Sequence, residues 1–212
     1  MENPVVVFGA GTLGKTAYDI LNQNEVLIYG FLDDKEELQR TEIGTVTVLG
    51  TTDDEHVLGI LGEKTEACIA IRNKEDRKRL AEELKEKYEV IGINAIHKTA
   101  YTSEDAGLGH GNIIGAMAVV GAFASVGNYC ILGANSVVDA DAVVNDYAEI
   151  GAGAVVNSHA VIEEGAFIGA GAIIVSGIKI GKGARIGAGS VVIENIGAGA
   201  VVFGNPAVAF KK

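Results

Sequence analysis

The sequence has no tryptophan, two prolines in 212 residues and only 6% aromatic residues. With proline so scarce beside 29 glycines, the composition is neither disordered nor collagen-like. A hydrophobic content of 48% with few rings implies a core of Val, Ile and Ala. Cations are also few: 17 Lys and Arg against 28 Asp and Glu give a formal net charge of -11. Nucleic acids and anionic membranes call for basic patches, so neither is an expected partner. Two cysteines cannot build a disulfide framework. Cys68 lies in an apolar strand-like run and Cys130 at a small repeat position, so both read as packing residues. No apolar run approaches the ~20 residues of a membrane span, and no basic segment precedes an apolar one at the N-terminus. The expectation is a cytoplasmic chain of one or two domains.

What the chain has in abundance is a six-residue period running from Ile96 to Ile196. Every sixth residue from Ile114 to Val192 is Ile, Val or Leu, fourteen in succession. Four residues after each comes a mostly small side chain, such as Ala118, Cys130, Ser136 and Ala142. A helix needs apolar residues every 3.6 positions and a simple strand needs alternation. A hexapeptide period describes a parallel β-helix, in which short flat strands meet at sharp corners. Three hexads close one triangular coil, so residues eighteen apart stack at roughly 4.7–4.9 Å. Gly and Asn suit the unusual dihedrals of the corners. After Val192 the repeat loosens, and Val201 to Ala207 is expected to end the stack and cover its open edge.

Before the repeat, residues 4–8 read as a buried strand followed at once by Gly9-Ala10-Gly11-Thr12-Leu13-Gly14. Lys15 to Leu21 then has helical spacing. Strand, glycine turn and helix is the setting in which G-x-G-x-x-G binds phosphate: the backbone can approach closely, and the helix N-terminus offers unpaired N–H groups. The same run also fits a tight turn with no ligand. A second strand, Val26 to Leu32, ends in Asp33-Asp34, placed to bind a ribose hydroxyl or a base edge. Thr45 to Leu49 reads as a short edge strand. Asp53 to Leu61 reads as a helix capped by Thr52 or Asp53, and Ala67 to Ile71 as a third parallel strand ending at Arg72-Asn73. Lys74 to Lys87 is a charged helix with a solvated face, and Glu89 to Ile93 a last strand. The fold class is α/β plus all-β: a Rossmann-like domain over residues 1–93 and a β-helix over 94–212. A nicotinamide-dependent oxidoreductase shares the glycine run, but a domain of roughly 92 residues offers no second half for a dinucleotide.

The combination carries a resemblance. Phe8-Gly9-Ala10-Gly11, Gly30-Phe31-Leu32-Asp33-Asp34, Ile69-Ala70-Ile71, Ile96-His97-Lys98-Thr99-Ala100, Phe167 to Ala172 and Val202 to Ala207 occur in the order of the bacterial sialic acid O-acetyltransferase family. That family includes the N-acetyltransferases of UDP- or GDP-linked 4-amino-6-deoxy sugars, and the chain resembles it from end to end. The resemblance implies a left-handed β-helix and a homotrimer with acetyl-CoA between neighbouring β-helices. It also implies a nucleotide-linked sugar held by the N-terminal domain, and a role in surface polysaccharide or glycan assembly. By position, Gly11, Thr12, Leu13, Asp33, Asp34, Arg72 and Glu75 would meet the nucleotide. The coenzyme would touch backbone near Ala170 and Ala188. Four positions depart. The family's Glu-His-Asp/Glu-Cys motif falls on Asp139-Ala140-Asp141-Ala142, so its histidine base is Ala140. A second family histidine, at the coenzyme, falls on Glu149. The nucleotide loop has Leu13 for a histidine, and Arg72 stands for a glycine.

Three readings of the chemistry follow. His159 lies eighteen residues after Asp141, so the two stack on adjacent coils, near enough for the carboxylate to orient an imidazole base. Alternatively no protein base is needed, because a neutral amine attacks a thioester directly once positioned. Or catalysis is lost, leaving a nucleotide-sugar-binding or scaffolding protein. His56, His97 and His110 lie apart, and no histidine metal cluster is suggested.

Overall fold

The computed structural model describes residues 3–209. The first unit runs β1 (Val5–Phe8), α1 (Thr12–Gln23), β2 (Ile28–Leu32), β3 (Glu42–Ile43), β4 (Val46–Gly50), α2 (Glu55–Leu58), β5 (Glu66–Ile69) and α3 (Lys74–Tyr88). The sheet order is β3-β4-β2-β1-β5. All pairs are parallel except β3 with β4. All four side chains of β1 are buried, which explains its unbroken apolar run: a parallel strand inside such a sheet is covered on both faces. Leu13, Ala17, Ile20 and Leu21 form the buried stripe of α1.

Four details differ from the sequence expectation. The expected edge strand is β4, which lies inside the sheet because the two-residue β3 pairs along its outer side. The helix expected over Asp53–Leu61 is one turn, and its cap is Asp54, whose carboxylate accepts the N–H groups of His56 and Val57. The strand expected over Glu89–Ile93 does not form. Glu89 ends α3 in the left-handed conformation at φ 56°, Val90 N–H returns to the Leu84 carbonyl, and Ile93 N–H reaches Ala67 O at 2.8 Å. The fourth is the boundary. The chain divides between Lys98 and Thr99 rather than after residue 93, since the Ile93 bond and one from Asn24 Nδ2 to Ile96 O (2.7 Å) tie residues 93–96 to the first unit.

The second unit is a left-handed parallel β-helix of two-residue strands. Residues eighteen apart pair, as Val119 with Val137 and Val137 with Val155. The second residue of each strand points inward: Val138, Ile150, Val156, Ile162 and Ile168 are fully buried, as are the small residues Ala142, Ala148, Ala154 and Ala160. Corners recur every six residues. Asn135, Asp141, Tyr147, Gly153, His159 and Gly165 hold them in succession, each with φ between 57° and 66°. The coils approach so closely there that a Cβ on Gly133 would lie 2.5 Å from Ala152 N and one on Gly151 2.5 Å from Ala170 N. At the C-terminal end, Val201–Gly204 adds in parallel to Arg185–Ile186, and Ala207–Ala209 folds back antiparallel on it. This hairpin closes one of the three sheets. No helix among the described residues is long and apolar enough to cross a membrane.

The inward aliphatics set the stability of this unit. Ile168→Ala should cost about 2–5 kcal/mol in urea unfolding. Ile173→Ala, at an outward position 40% exposed, should cost under about 1 kcal/mol. Equal losses at the two positions would contradict the inward–outward assignment.

Candidate active site

In the first unit the three glycines of the β1–α1 turn differ in kind. Gly9 has φ 104°, and a Cβ there would lie 2.6 Å from Ala70 O; one on Gly14 would lie 2.0 Å from Gly9 O. The fold itself requires both. Gly11 has φ -76° and ψ -160°, open to any residue, and a Cβ there would meet nothing within 4 Å. It leaves clear space at the start of α1, which has no side-chain cap and no acidic residue in its first turn. The α3 N-terminus, by contrast, is capped by Asn73 and carries Glu75 and Asp76. Unpaired N–H groups and the helix dipole therefore favour an anion at α1.

Around that turn the candidate residues take different places. Thr12 is exposed, but Leu13 is 4% exposed and packs in the core, so only its backbone is left to meet a ligand. Asp33 and Asp34 follow β2. Arg72 and Glu75 are both exposed beyond β5. The hydrogen bond at Glu75 N–H and then the Lys74 ammonium (3.3 Å) hold the Glu75 carboxyl below its ordinary range. Sequence reasoning missed Arg77, which it assigned to a solvated face. Arg77 is 1% exposed and its Nη1 donates to the carbonyls of Ile71 (2.8 Å) and Arg72 (2.9 Å), pinning the loop after β5. The signal was its spacing from Leu80, Ala81 and Leu84, the buried stripe of α3.

In the β-helix each corner is a column of residues eighteen apart. One column is Phe123, Asp141, His159 and Gly177, all with positive φ. It brings the expected pair together: His159 Nδ1 lies 3.9 Å from Asp141 Oδ2, with the side chains 71% and 49% exposed. That distance is too long for a hydrogen bond. His159 N–H donates to Ala140 O at 3.2 Å. Beside them Ser158 Oγ donates to Asp139 Oδ2 at 2.5 Å. That bond first, and then backbone N–H groups of Ala140 and Ser158, hold the Asp139 carboxyl below its ordinary range.

A second column holds Ala152, Ala170 and Ala188, all exposed. The residues after them, Gly153, Gly171 and Gly189, have open space where a side chain would stand. This corner is bare backbone. It lies across one sheet from His159: the strands Val119–Val120, Val137–Val138, Val155–Val156, Ile173–Ile174 and Val191–Val192 separate the two columns. Glu149 joins neither. It pairs between Ile131 and Phe167 on another sheet and is 9% exposed. At the third corner His110 meets Tyr129 edge-on (5.1 Å), and Tyr129 stacks on Tyr147 (5.6 Å), an aromatic ladder that clads the prism. Among the described residues no three His, Cys, Asp or Glu side chains gather as a metal site.

Two family matches fall one within each unit. Residues 4–84 match the PglD N-terminal domain, and residues 159–194 match the six-repeat bacterial transferase hexapeptide. The chain is thus similar in its first unit to the PglD N-terminal domain and in its second to the hexapeptide-repeat bacterial transferases. Solved structures align along its whole length. The acetyltransferase domain of PglB from Neisseria gonorrhoeae, in complex with acetyl coenzyme A, is 29% identical; the alignment covers 99% of this chain and 100% of that one at a TM-score of 0.90. A His-to-Ala variant of GDP-perosamine N-acetyltransferase from Caulobacter crescentus, in complex with CoA and GDP-perosamine, is 25% identical, covering 100% and 99% at a TM-score of 0.90. WeeI from Acinetobacter baumannii, at 24% identity, 99% and 100% coverage and a TM-score of 0.74, shares the fold. No curated protein is similar enough to the chain to count as a match.

Asp139 gives a pH prediction. A lowered carboxyl pKa favours the folded state above the unfolded value, and that contribution disappears as pH falls through the lower, folded value. Ser158→Ala removes the largest cause. By carbon-13 NMR titration, the Asp139 carboxyl should then rise toward its ordinary value of 3.8. An unmoved titration would mean that the hydroxyl does not hold this carboxylate.

Proposed function

We propose that the chain transfers the acetyl group of acetyl-CoA to the amine of a nucleotide-linked amino sugar, in the cytoplasm, as a homotrimer. The observation that carries this reading is the full-length likeness to the PglB domain, which was solved with acetyl coenzyme A. The likeness to GDP-perosamine N-acetyltransferase supports the acceptor class. That relative's His-to-Ala variant was solved with both CoA and GDP-perosamine, which supports ligand binding in a chain with Ala140 where the family resemblance places a histidine.

The geometry supports a role for each part. The diphosphate of the acceptor meets the α1 N-terminus over Gly11, and the coenzyme lies in extended form along the bare Ala170–Ala188 corner. Within one chain that corner and the His159 corner are held apart by a sheet, so a shared site needs a neighbouring copy. The sheet between them supports such a contact. Its outward residues are Tyr101, Val119, Val137, Val155, Ile173 and Val191, an apolar stripe about 24 Å long at the ordinary strand spacing. In the reaction the neutral amine attacks the thioester carbonyl, the carbon–sulfur bond breaks, and the coenzyme leaves as thiolate. The proton shed by the nitrogen passes to His159, which stands beside the Asp141 carboxylate.

Calorimetry with acetyl-CoA should give saturable micromolar binding at about one site per chain, and sedimentation should give a trimer. No binding at millimolar coenzyme, or a monomer, would contradict the proposal. His159→Ala should lower kcat by about 10²–10⁴-fold if its imidazole is the base; an unchanged kcat would assign the proton to solvent and leave catalysis to positioning. Gly11→Val should leave the melting temperature nearly unchanged, since nothing in the fold occupies that space, while abolishing binding of the nucleotide. Retained binding would remove the diphosphate from the α1 N-terminus.

A further inference from the structure

We infer that the two adjacent acids after β2 divide the work at the nucleotide site: Asp33 is a positioning residue that locks the glycine turn, and Asp34 is the one that offers a free carboxylate oxygen to the nucleoside. The inference rests on the nucleotide-binding reading above. By sequence alone the two are equivalent, since both sit at the carboxyl end of β2, where ligands of open α/β sheets bind.

Their hydrogen bonds separate them. Asp33 is half-buried, and each of its carboxylate oxygens already holds a backbone N–H: Oδ2 accepts from Ala10 at 2.7 Å and Oδ1 from Lys35 at 3.0 Å. Its own N–H donates to Gly50 O at 3.0 Å, and its carbonyl accepts from Gln39 Nε2. Every polar atom of the residue holds at least one bond of the fold. Charge-assisted bonds of this kind are the stronger class, and the one to Ala10 fixes the residue between Gly9 and Gly11. Turning the carboxylate toward a ligand would release that turn. Asp34 is exposed. Its Oδ1 accepts both the N–H and the Oγ of Thr52, each at 2.8 Å. Two bonds to one oxygen fix the side chain, while Oδ2 has no hydrogen-bond partner among the described residues. A fixed carboxylate with one oxygen unused is a preformed acceptor. Its partner must be a donor of the nucleoside, either a ribose hydroxyl or an N–H of the base edge.

The test is calorimetry of UDP and GDP, and of the 2′-deoxy analogue of whichever binds, on wild type, Asp33→Asn and Asp34→Asn, together with amide hydrogen exchange at Ala10. Asp34→Asn should weaken binding by about tenfold or more with exchange at Ala10 unchanged. If that loss vanishes with the 2′-deoxy analogue the donor is the ribose 2′-hydroxyl; if it persists the donor is the 3′-hydroxyl or the base. Asp33→Asn should weaken both nucleotides alike and speed exchange at Ala10. In wild type, which needs no variant to fold, nucleotide should shift the carboxyl carbon resonance of Asp34 and leave that of Asp33 in place. The inference is overturned if Asp34→Asn binds as wild type does, if Asp33→Asn loses affinity with Ala10 exchange unchanged, or if the Asp33 resonance is the one that moves. Wild type that binds neither UDP nor GDP would instead defeat the nucleotide reading itself.

Discussion

The coil-to-coil ladder is the constraint on which the β-helix depends. Each strand of the repeat up to Val191–Val192 is only two residues long, too short to pair stably alone, so its bonds count only because the coils above and below repeat them. The Val137 N–H bond to Ala154 O and the Asp139 N–H bond to Val156 O recur in kind along the stack. Once the ladder sets the rise, the six-residue period becomes a mould. A large aliphatic fills the prism, a small residue fits beside the corner, and one residue per corner takes a left-handed backbone. That conformation costs an ordinary residue roughly 1–2 kcal/mol. His159, Phe123, Tyr129 and Tyr147 adopt it because neighbouring coils leave the corner no other path.

The same ladder explains how functional groups are placed. A side chain at a corner points away from the core in every coil, so eighteen-residue columns become rows of presented groups. One row carries Asp141 and His159; another carries backbone with almost no side chain, from Ala152 to Gly189. The first unit uses a comparable device on a different scaffold. Gly9 and Gly14 serve the turn itself, Arg77 and Asp33 pin the loops on either side, and Gly11 keeps the opening at the α1 N-terminus clear. In both units the surface offered to a ligand is backbone held by buried or committed charges and hydrogen bonds, with few flexible side chains in the way.

Much of this was legible in the sequence because period is a direct imprint of packing. The repeat specified the β-helix and its register, and simple addition of eighteen to the residue number placed His159 beside Asp141. The strand–turn–helix at Val5 to Gln23 was equally plain. What failed to show depends on tertiary surroundings. Glu89–Ile93 has the composition of a strand, yet Glu89 turns left-handed and the segment is drawn to Ala67 by one bond. Arg77 looks solvated in a run of charges, yet the carbonyls of Ile71 and Arg72 supply partners that let it be buried. Leu13 and Glu149 stand where the family resemblance places ligand contacts, and only the fold shows that both side chains are buried. Asp33 and Asp34 are indistinguishable as letters and separate only when the acceptors of the Ala10 and Thr52 N–H groups are known.

A chain with Ala140 where the family resemblance places the base is proposed to transfer acetyl all the same. The most direct measurement is mass-spectrometric detection of product from acetyl-CoA and GDP- or UDP-linked 4-amino-4,6-dideoxy sugars, with free thiol followed in parallel. The expected product is about 42 Da heavier than the acceptor, the mass of an acetyl group replacing one hydrogen, acetylated at nitrogen and with one thiol released per product. Enzyme that binds both ligands yet forms no product above the uncatalysed rate would contradict it and leave a binding protein on a transferase scaffold.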